Sequence, residues 1–438
     1  MSVKRIKFKN LNGFGDEFTS SPETSPAVHC LNLRAEGDAL KDGFCISAAT
    51  FTGGRKLYLP EDVAKDAVFI SHTEEGERIL FAGEGMIYSA DPAFPEQGFA
   101  ETEVTYTGKP FAADIVAGGN RYTAIADSSG TLTLFDGLTF TEGSCPEGAV
   151  ALNEFFGRLV IVTENAVYLS AEGEPLNFTE LSGSYTFGLP GGIHAGGAAL
   201  FGNEIIIAGT RGMCRLVRSE FGGSFTVRPI FSDGERLLPE TVAAGAEYVY
   251  VMTERGLARY NGTSVIFSHK KTDAYATEGV CGFIWNGEYH ACIKSPQNAN
   301  KHVVLSFGED VCNVSEVPLV SVAVNSGGER SVALSYVHGF ICSPGGTALP
   351  PVPMRRIVTA STDFGIGGNK VITEFSLYSE KDVRLVIDAD GKRRLYRIVG
   401  GKGMRTVRPH LCGRIFSFSL TAEGNGVKIR APQVEIDY

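Results

Sequence analysis

The chain has 438 residues, 43% hydrophobic and 21% charged, the balance of an ordinary globular protein. Nine cysteines, an odd number with no Cys-x-x-Cys spacing, suit neither a disulfide scaffold nor a zinc site. No apolar run approaches the about 18 residues of a transmembrane helix, so membrane insertion is not expected. The net charge of −10 divides unevenly: residues 355–438 carry 15 basic and 9 acidic side chains, leaving 25 and 41 in residues 1–354. A mostly acidic body argues against a dedicated DNA binder, whereas opposite charge on two parts allows stacking on neighbours through complementary faces.

Residues 1–44 read as a polar, extended N-terminal arm with little packing of its own, carrying Pro22 and Pro26. Its basic start, Met1 to Lys9, has no apolar stretch behind it and is not a secretory signal. The expectation is therefore synthesis and folding in the cytoplasm.

From residue 45 onward one phrase recurs: an apolar strand, a tight turn on glycine or asparagine, then a second strand. It runs through 79–88 with Gly85, 122–135 with Gly130, 159–169 with Asn165, 205–216 with Gly212 and 248–260 with Gly256. The turn residues are 45, 35, 47 and 44 positions apart. Steps of roughly 40–50 residues holding about four short strands have the size of one β-propeller blade. Weaker copies follow, among them the hairpin 283–293 around Asn286-Gly287 and the strands 302–307, 331–336 and 339–342. Residues 45–347 thus read as an all-β propeller of about six to seven blades.

Three prolines in Pro350-Pro351-Val352-Pro353 mark 348–354 as a Pro-rich linker and domain boundary. Strands at 371–378, 384–398 around Asp390-Gly391, 414–420 and 427–430 make residues 355–438 a C-terminal antiparallel β-sandwich.

Motifs with a chemical reading resolve into turns. Gly400-Gly401-Lys402-Gly403 lacks the spacing of a phosphate loop. Asp388-Ala389-Asp390-Gly391 begins like a calcium loop but continues into Lys392 and Arg393 and has no closing glutamate. Ser361-Thr362-Asp363-Phe364-Gly365 echoes a sialidase-type turn without its Thr-Trp completion and occurs once. His194, inside Gly191–Gly197, reads as structural, and Glu74, Glu75 and Glu77 as a solvated hairpin turn. Ser224 has no nucleophile elbow around it. The cysteines read as small reduced core residues. No catalytic, cofactor-binding or metal-binding residue is assigned, and no cofactor is expected.

Residues 11–44 carry Asn12-Gly13-Phe14, then Ser20-Ser21-Pro22 and Pro26-Ala27, then Leu31-Asn32-Leu33 and Gly37 to Phe44. This succession resembles the N-terminal arm of β-propeller virion proteins of tailed bacteriophages, the group of packaged-DNA stabilisation and tail-nozzle proteins. Thr362-Asp363-Phe364-Gly365 and the last strand, Val434 to Tyr438, resemble their C-terminal module. Asp42 stands where that pattern usually has a basic residue. The resemblance implies a non-enzymatic virion structural protein at the neck or tail: a head-closure, nozzle or tail-hub ring, sixfold by resemblance, around the DNA channel. Its partners would be copies of itself, portal, adaptor or tail proteins, and DNA passing without sequence-specific contact. Two alternatives stay open: a receptor- or glycan-binding propeller such as an adhesin or tail tip, and a carbohydrate-active propeller enzyme with converging carboxylates in its channel.

Overall fold

The computed structural model describes residues 2–9, 11, 17–22, 27–36, 39–219, 223–232, 234–269, 272, 275–308, 312–324 and 330–438. Of the N-terminal phrase, residues 12–14, 23–26 and 37–38 lie outside the described residues. The chain forms two compact units: Ser47–His302 with Pro318–Pro344, and Met1–Ile46 with Val303–Val317 and Gly345–Tyr438. Apart from the 3-10 turns Thr52–Gly54, Pro95–Gln97 and Glu180–Ser182, the regular structure among the described residues is β.

The larger unit is a propeller built from four-stranded antiparallel blades. The first blade is Ala67–Thr73, Gly76–Gly83, Met86–Ala90 and Ala100–Thr105, and the second Phe111–Ala117, Asn120–Ala126, Thr131–Phe135 and Phe140–Ser144. Three more follow in residues 149–188, 195–231 and 237–268. The hairpin Gly279–Trp285 and Glu288–Ser295 comes next. Its inner strand stands between those of the fifth blade and of the closing blade. The closing blade is Leu319–Val324, Ser331–Ser335 and Cys342–Pro344, completed by Ile46–Ala48 from far up the chain. Six four-stranded blades and this intervening hairpin account for the six to seven units expected.

The recurring phrase is the second and third strand of a blade. Those strands are covered on both faces by neighbouring blades, so they read as continuous apolar runs; Arg158–Thr163 is buried throughout. The core lies in the seams between blades. Leu80, Ala82 and Ile87 of the first blade pack on Ile125 and Phe135 of the second. Val160 and Val162 of the third pack on Ile205 and Ile207 of the fourth. Where inner strands approach most closely, side chains disappear: a Cβ on Gly197 would run into the Pro239 carbonyl, and one on Gly282 into the Thr241 carbonyl.

The second unit holds two sheets over one core, in which Ile6, Phe8 and Leu33 join Phe375, Leu385, Phe416, Phe418 and Val434. One sheet is Met404–Val407, Lys370–Ser379, Lys428–Asp437, Ala39–Asp42 and Leu33–Glu36, with Val3–Lys7 on Lys428–Asp437. The other contains Arg355–Val358, Phe416–Ala422, Val383–Ala389 and Lys392–Ile398. Two expectations need correction, the loose arm and the free linker. Residues 1–44 are not a loose arm: Ile6 lies opposite Val434, and Leu40 opposite Ile429. Only one residue in Val3–Lys7 faces the core, so the strand carries almost no apolar signature. The strand pairs within residues 355–438 are antiparallel, as expected, and earlier segments join them: Phe18–Thr19 runs parallel to Ser361–Thr362, and Leu31 pairs in parallel with Val314. Residues 348–354 are not a free linker: the Asn425 side chain donates to Ala348 O at 2.9 Å, and Asn32 to Met354 O at 2.7 Å.

Candidate functional site

A cleft of the propeller opens between the outer strands of its first and second blades. It encloses about 990 Å³ and is lined by Glu101, Glu103 and Glu142 over a floor containing Arg78, Asp91, Phe135 and Phe140. Outer strands are half-solvated, so their side chains alternate; Glu101 and Glu103, two apart, share a face. The Phe135 and Phe140 rings stack with centroids 4.3 Å apart, and Arg78 is tied to Asp91 and reaches toward Gly137 O. Leu138, 65% exposed, stands on the rim. No ion pair joins Glu101, Glu103 or Glu142 among the described residues, so the cleft is acidic and partly aromatic.

A polar network crosses three consecutive blades near the inner strands. His72 lies 3.4 Å from Glu77 and 3.5 Å from Asp114, Glu77 also pairs with Arg330 of the closing blade, and the Thr123 hydroxyl sits 2.6 Å from Asp114. Thr123 also bonds Ser71 at 2.8 Å. Burial raises the Asp114 carboxyl above its ordinary range despite the Thr123 and His72 contacts. Burial likewise raises Glu240 on the inner strand of the fifth blade. Glu77, expected to be merely solvated with Glu74 and Glu75, is thus part of a cross-blade tie. No group of three or more His, Cys, Asp or Glu fit to hold a metal occurs among the described residues.

The second unit presents the opposite charge. Among the described residues Lys392–Ile398 pairs only with Val383–Ala389, so no described strand covers its outer edge. Lys392, Arg393, Arg394 and Leu395 are all exposed on it, Leu395 by 67%. Arg393 bonds Asp388 at 2.9 Å, and Arg397 bonds Asp382 at 2.6 and 3.1 Å. By sequence count the propeller unit carries 19 basic and 32 acidic residues, and the second unit 21 and 18.

The remaining sequence motifs are structural. Gly391 N–H donates to Asp388 at 2.7 Å, and Asp390 accepts the N–H groups of Arg414 and Ile415, so the Asp388–Gly391 segment is a hairpin turn. Phe364 is buried behind a turn closed by Thr362 and Asp363. His194 meets Glu164 at 3.1 Å on an exposed loop, and Ser224 accepts the Ser219 N–H through its backbone carbonyl.

No protein-family model matches the sequence, and no curated protein matches it. Among solved structures the chain is similar to BBS1N in complex with ARL6DN, at 12% identity and a TM-score of 0.45 over 69% of this chain and 98% of that one. It is also similar to the extracellular domain of the one component system BT4673 from B. thetaiotaomicron, at 13% and 0.46 over 81% of this chain and 46% of that one. A chain of the Mitotic Checkpoint Complex follows at 10% and 0.44, over 68% of this chain and 95% of that one. These distant likenesses carry no functional argument, and the propeller stands on its own sheet topology.

Proposed function

We propose that the chain is a non-enzymatic structural component of a tailed-phage particle, at the neck or tail, where copies of it surround the DNA channel and contact portal, adaptor or tail proteins. The observation that carries this reading is the charge division between the two units, with an exposed basic edge on one and an acidic cleft on the other. Complementary faces on one chain favour repeated association between copies. An acidic propeller wall would keep passing DNA mobile by repulsion. The N-terminal resemblance supplies the particle.

Mass photometry and negative-stain imaging of the purified chain test it, first at physiological salt and then at about 0.5 M, where charges are screened within a few Å. Closed rings or stacks that dissolve with salt are the expected result. A 46.9 kDa monomer in every condition, alone and with portal or tail partners, overturns the reading.

The cleft between the first two blades favours a second reading, a receptor- or glycan-binding propeller. A stacked aromatic pair beside carboxylates suits a polar ring ligand. Binding of monomer to host cells or to a glycan array, abolished by Phe140→Ala, would select it.

A further inference from the structure

Cys281 and Cys292 lie directly opposite each other in the antiparallel hairpin Gly279–Trp285 and Glu288–Ser295. Directly opposed residues have Cα atoms about 4.5–5.5 Å apart, inside the span of about 4.4–6.8 Å that a disulfide bridges. The two thiols are within hydrogen-bonding reach of each other. Both point at the inner strand of the closing blade: Cys292 Sγ is 3.8 Å from Leu319 O, and the Val322 N–H donates to Cys281. Cys281 is half-buried and Cys292 fully buried. Lys109, reaching in from the loop before the second blade, donates to Val280 O at 3.3 Å and sets a positive charge beside the pair.

We propose that Cys281 and Cys292 form a cross-strand dithiol that a hydroperoxide oxidises to a disulfide. Cys281 is the nucleophile. The neighbouring Cys292 thiol and the Lys109 charge both lower its thiol, whereas burial drives Cys292 well up. The other buried cysteines lack this arrangement: burial alone pushes Cys30 and Cys214 up to about 12, and their opposite residues are Ile357 and Ile207. The Cys281 thiolate attacks one peroxide oxygen, the O–O bond breaks, and water leaves after protonation, giving a sulfenic acid. Cys292 then attacks that sulfur, the S–O bond breaks, and a second water carries away the Cys292 proton. Two thiols and one hydrogen peroxide become one disulfide and two waters.

The test uses the whole chain. It is treated with hydrogen peroxide near neutral pH, unfolded, alkylated and digested with trypsin. Residues 272–294 form one tryptic fragment that contains both cysteines and no other. The expected product is that fragment unalkylated and two hydrogens lighter, with two alkylatable thiols restored by dithiothreitol. In Cys292→Ser the oxidation of Cys281 stops at a sulfenic acid that a 1,3-dione traps. In Cys281→Ser, Cys292 stays a thiol. The proposal is overturned if wild-type 272–294 still takes two alkyl groups at a peroxide dose that oxidises the exposed Cys412, or if Cys281 reaches the sulfinic acid with no disulfide formed.

Discussion

Asp42 and Arg355, 313 residues apart in the chain, are joined at 2.9 Å from the guanidinium Nε to Oδ1. The Arg355 side chain is only 3% exposed. The same carboxylate accepts the backbone N–H of Gly426 at 2.7 Å and of Val427 at 3.3 Å. Asp42 thus ties the Ala39–Asp42 strand, the start of the Arg355–Val358 strand and the turn before the last strand. A basic residue at position 42 would face this buried guanidinium.

Asp42→Ala is therefore expected to destabilise the protein by about 3–5 kcal/mol, because it strands a buried charge rather than merely removing a contact. Asp42→Asn keeps an acceptor and should cost less. Urea unfolding followed by far-UV circular dichroism measures both. Equal, small losses for the two variants would mean that the remaining Arg355 bonds to Pro353 O and Asn425 carry the guanidinium unaided.

Asn32 makes a second long-range tie. Its backbone has φ 60°, and its buried side chain donates to Met354 O and accepts the Glu316 N–H, both at 2.7 Å. Asn32→Ala removes two bonds and forces a Cβ into the left-handed region, for an expected loss of about 3 kcal/mol. Asn32→Gly relieves the strain but not the lost bonds, so about 2 kcal/mol remains. The difference between the two unfolding midpoints isolates the backbone contribution; alanine no worse than glycine would show that there is none.

These two residues mark where the sequence stops being legible. Blade phrases stand out because strands such as Arg158–Thr163 are apolar on both faces and their turns need residues that tolerate positive φ, as Gly85 and Gly130 do. Outer strands such as Phe140–Ser144 are half-solvated and polar, so they leave no mark until the blade is assembled. The N-terminal strand is harder still: Val3 pairs with Asp437, and no local pattern reports a partner at the other end of the chain. The acidic cleft was hidden for the same reason, since Glu101, Glu103 and Glu142 come from two different blades. The cysteine pair, by contrast, was within reach. Counting four residues outward from each side of the Asn286-Gly287 turn, starting at Trp285 and Glu288, lands on Cys281 and Cys292.

Seam packing should make two glycines behave oppositely. A Cβ at Gly282 has no room against the Thr241 backbone, so Gly282→Ala is expected to cost about 1–3 kcal/mol by overpacking. Gly188, ending the strand Tyr185–Gly188, has open space around it and a negative φ, so Gly188→Ala should be neutral or slightly stabilising through the unfolded chain. Thermal unfolding of both variants decides. A neutral Gly282→Ala would show that the inner strands can part without loss.

Acid should act on the second unit through Asp390. The backbone N–H groups of Arg414 and Ile415 hold its carboxyl below the ordinary 3.8. A carboxyl lowered in the folded state contributes stability that is present above its unfolded value and lost as pH falls through the lower, folded one. Asp390→Asn can keep one acceptor but not the charge, so wild type should exceed it in stability above that window and converge with it below. Side-chain carboxyl NMR gives the folded titration directly, and unfolding midpoints of the two proteins across the same acidic range give the linkage. A folded Asp390 titrating at or above the ordinary value, or a constant gap between the two proteins at every pH, would mean that the turn is held by its backbone geometry and not by the carboxylate.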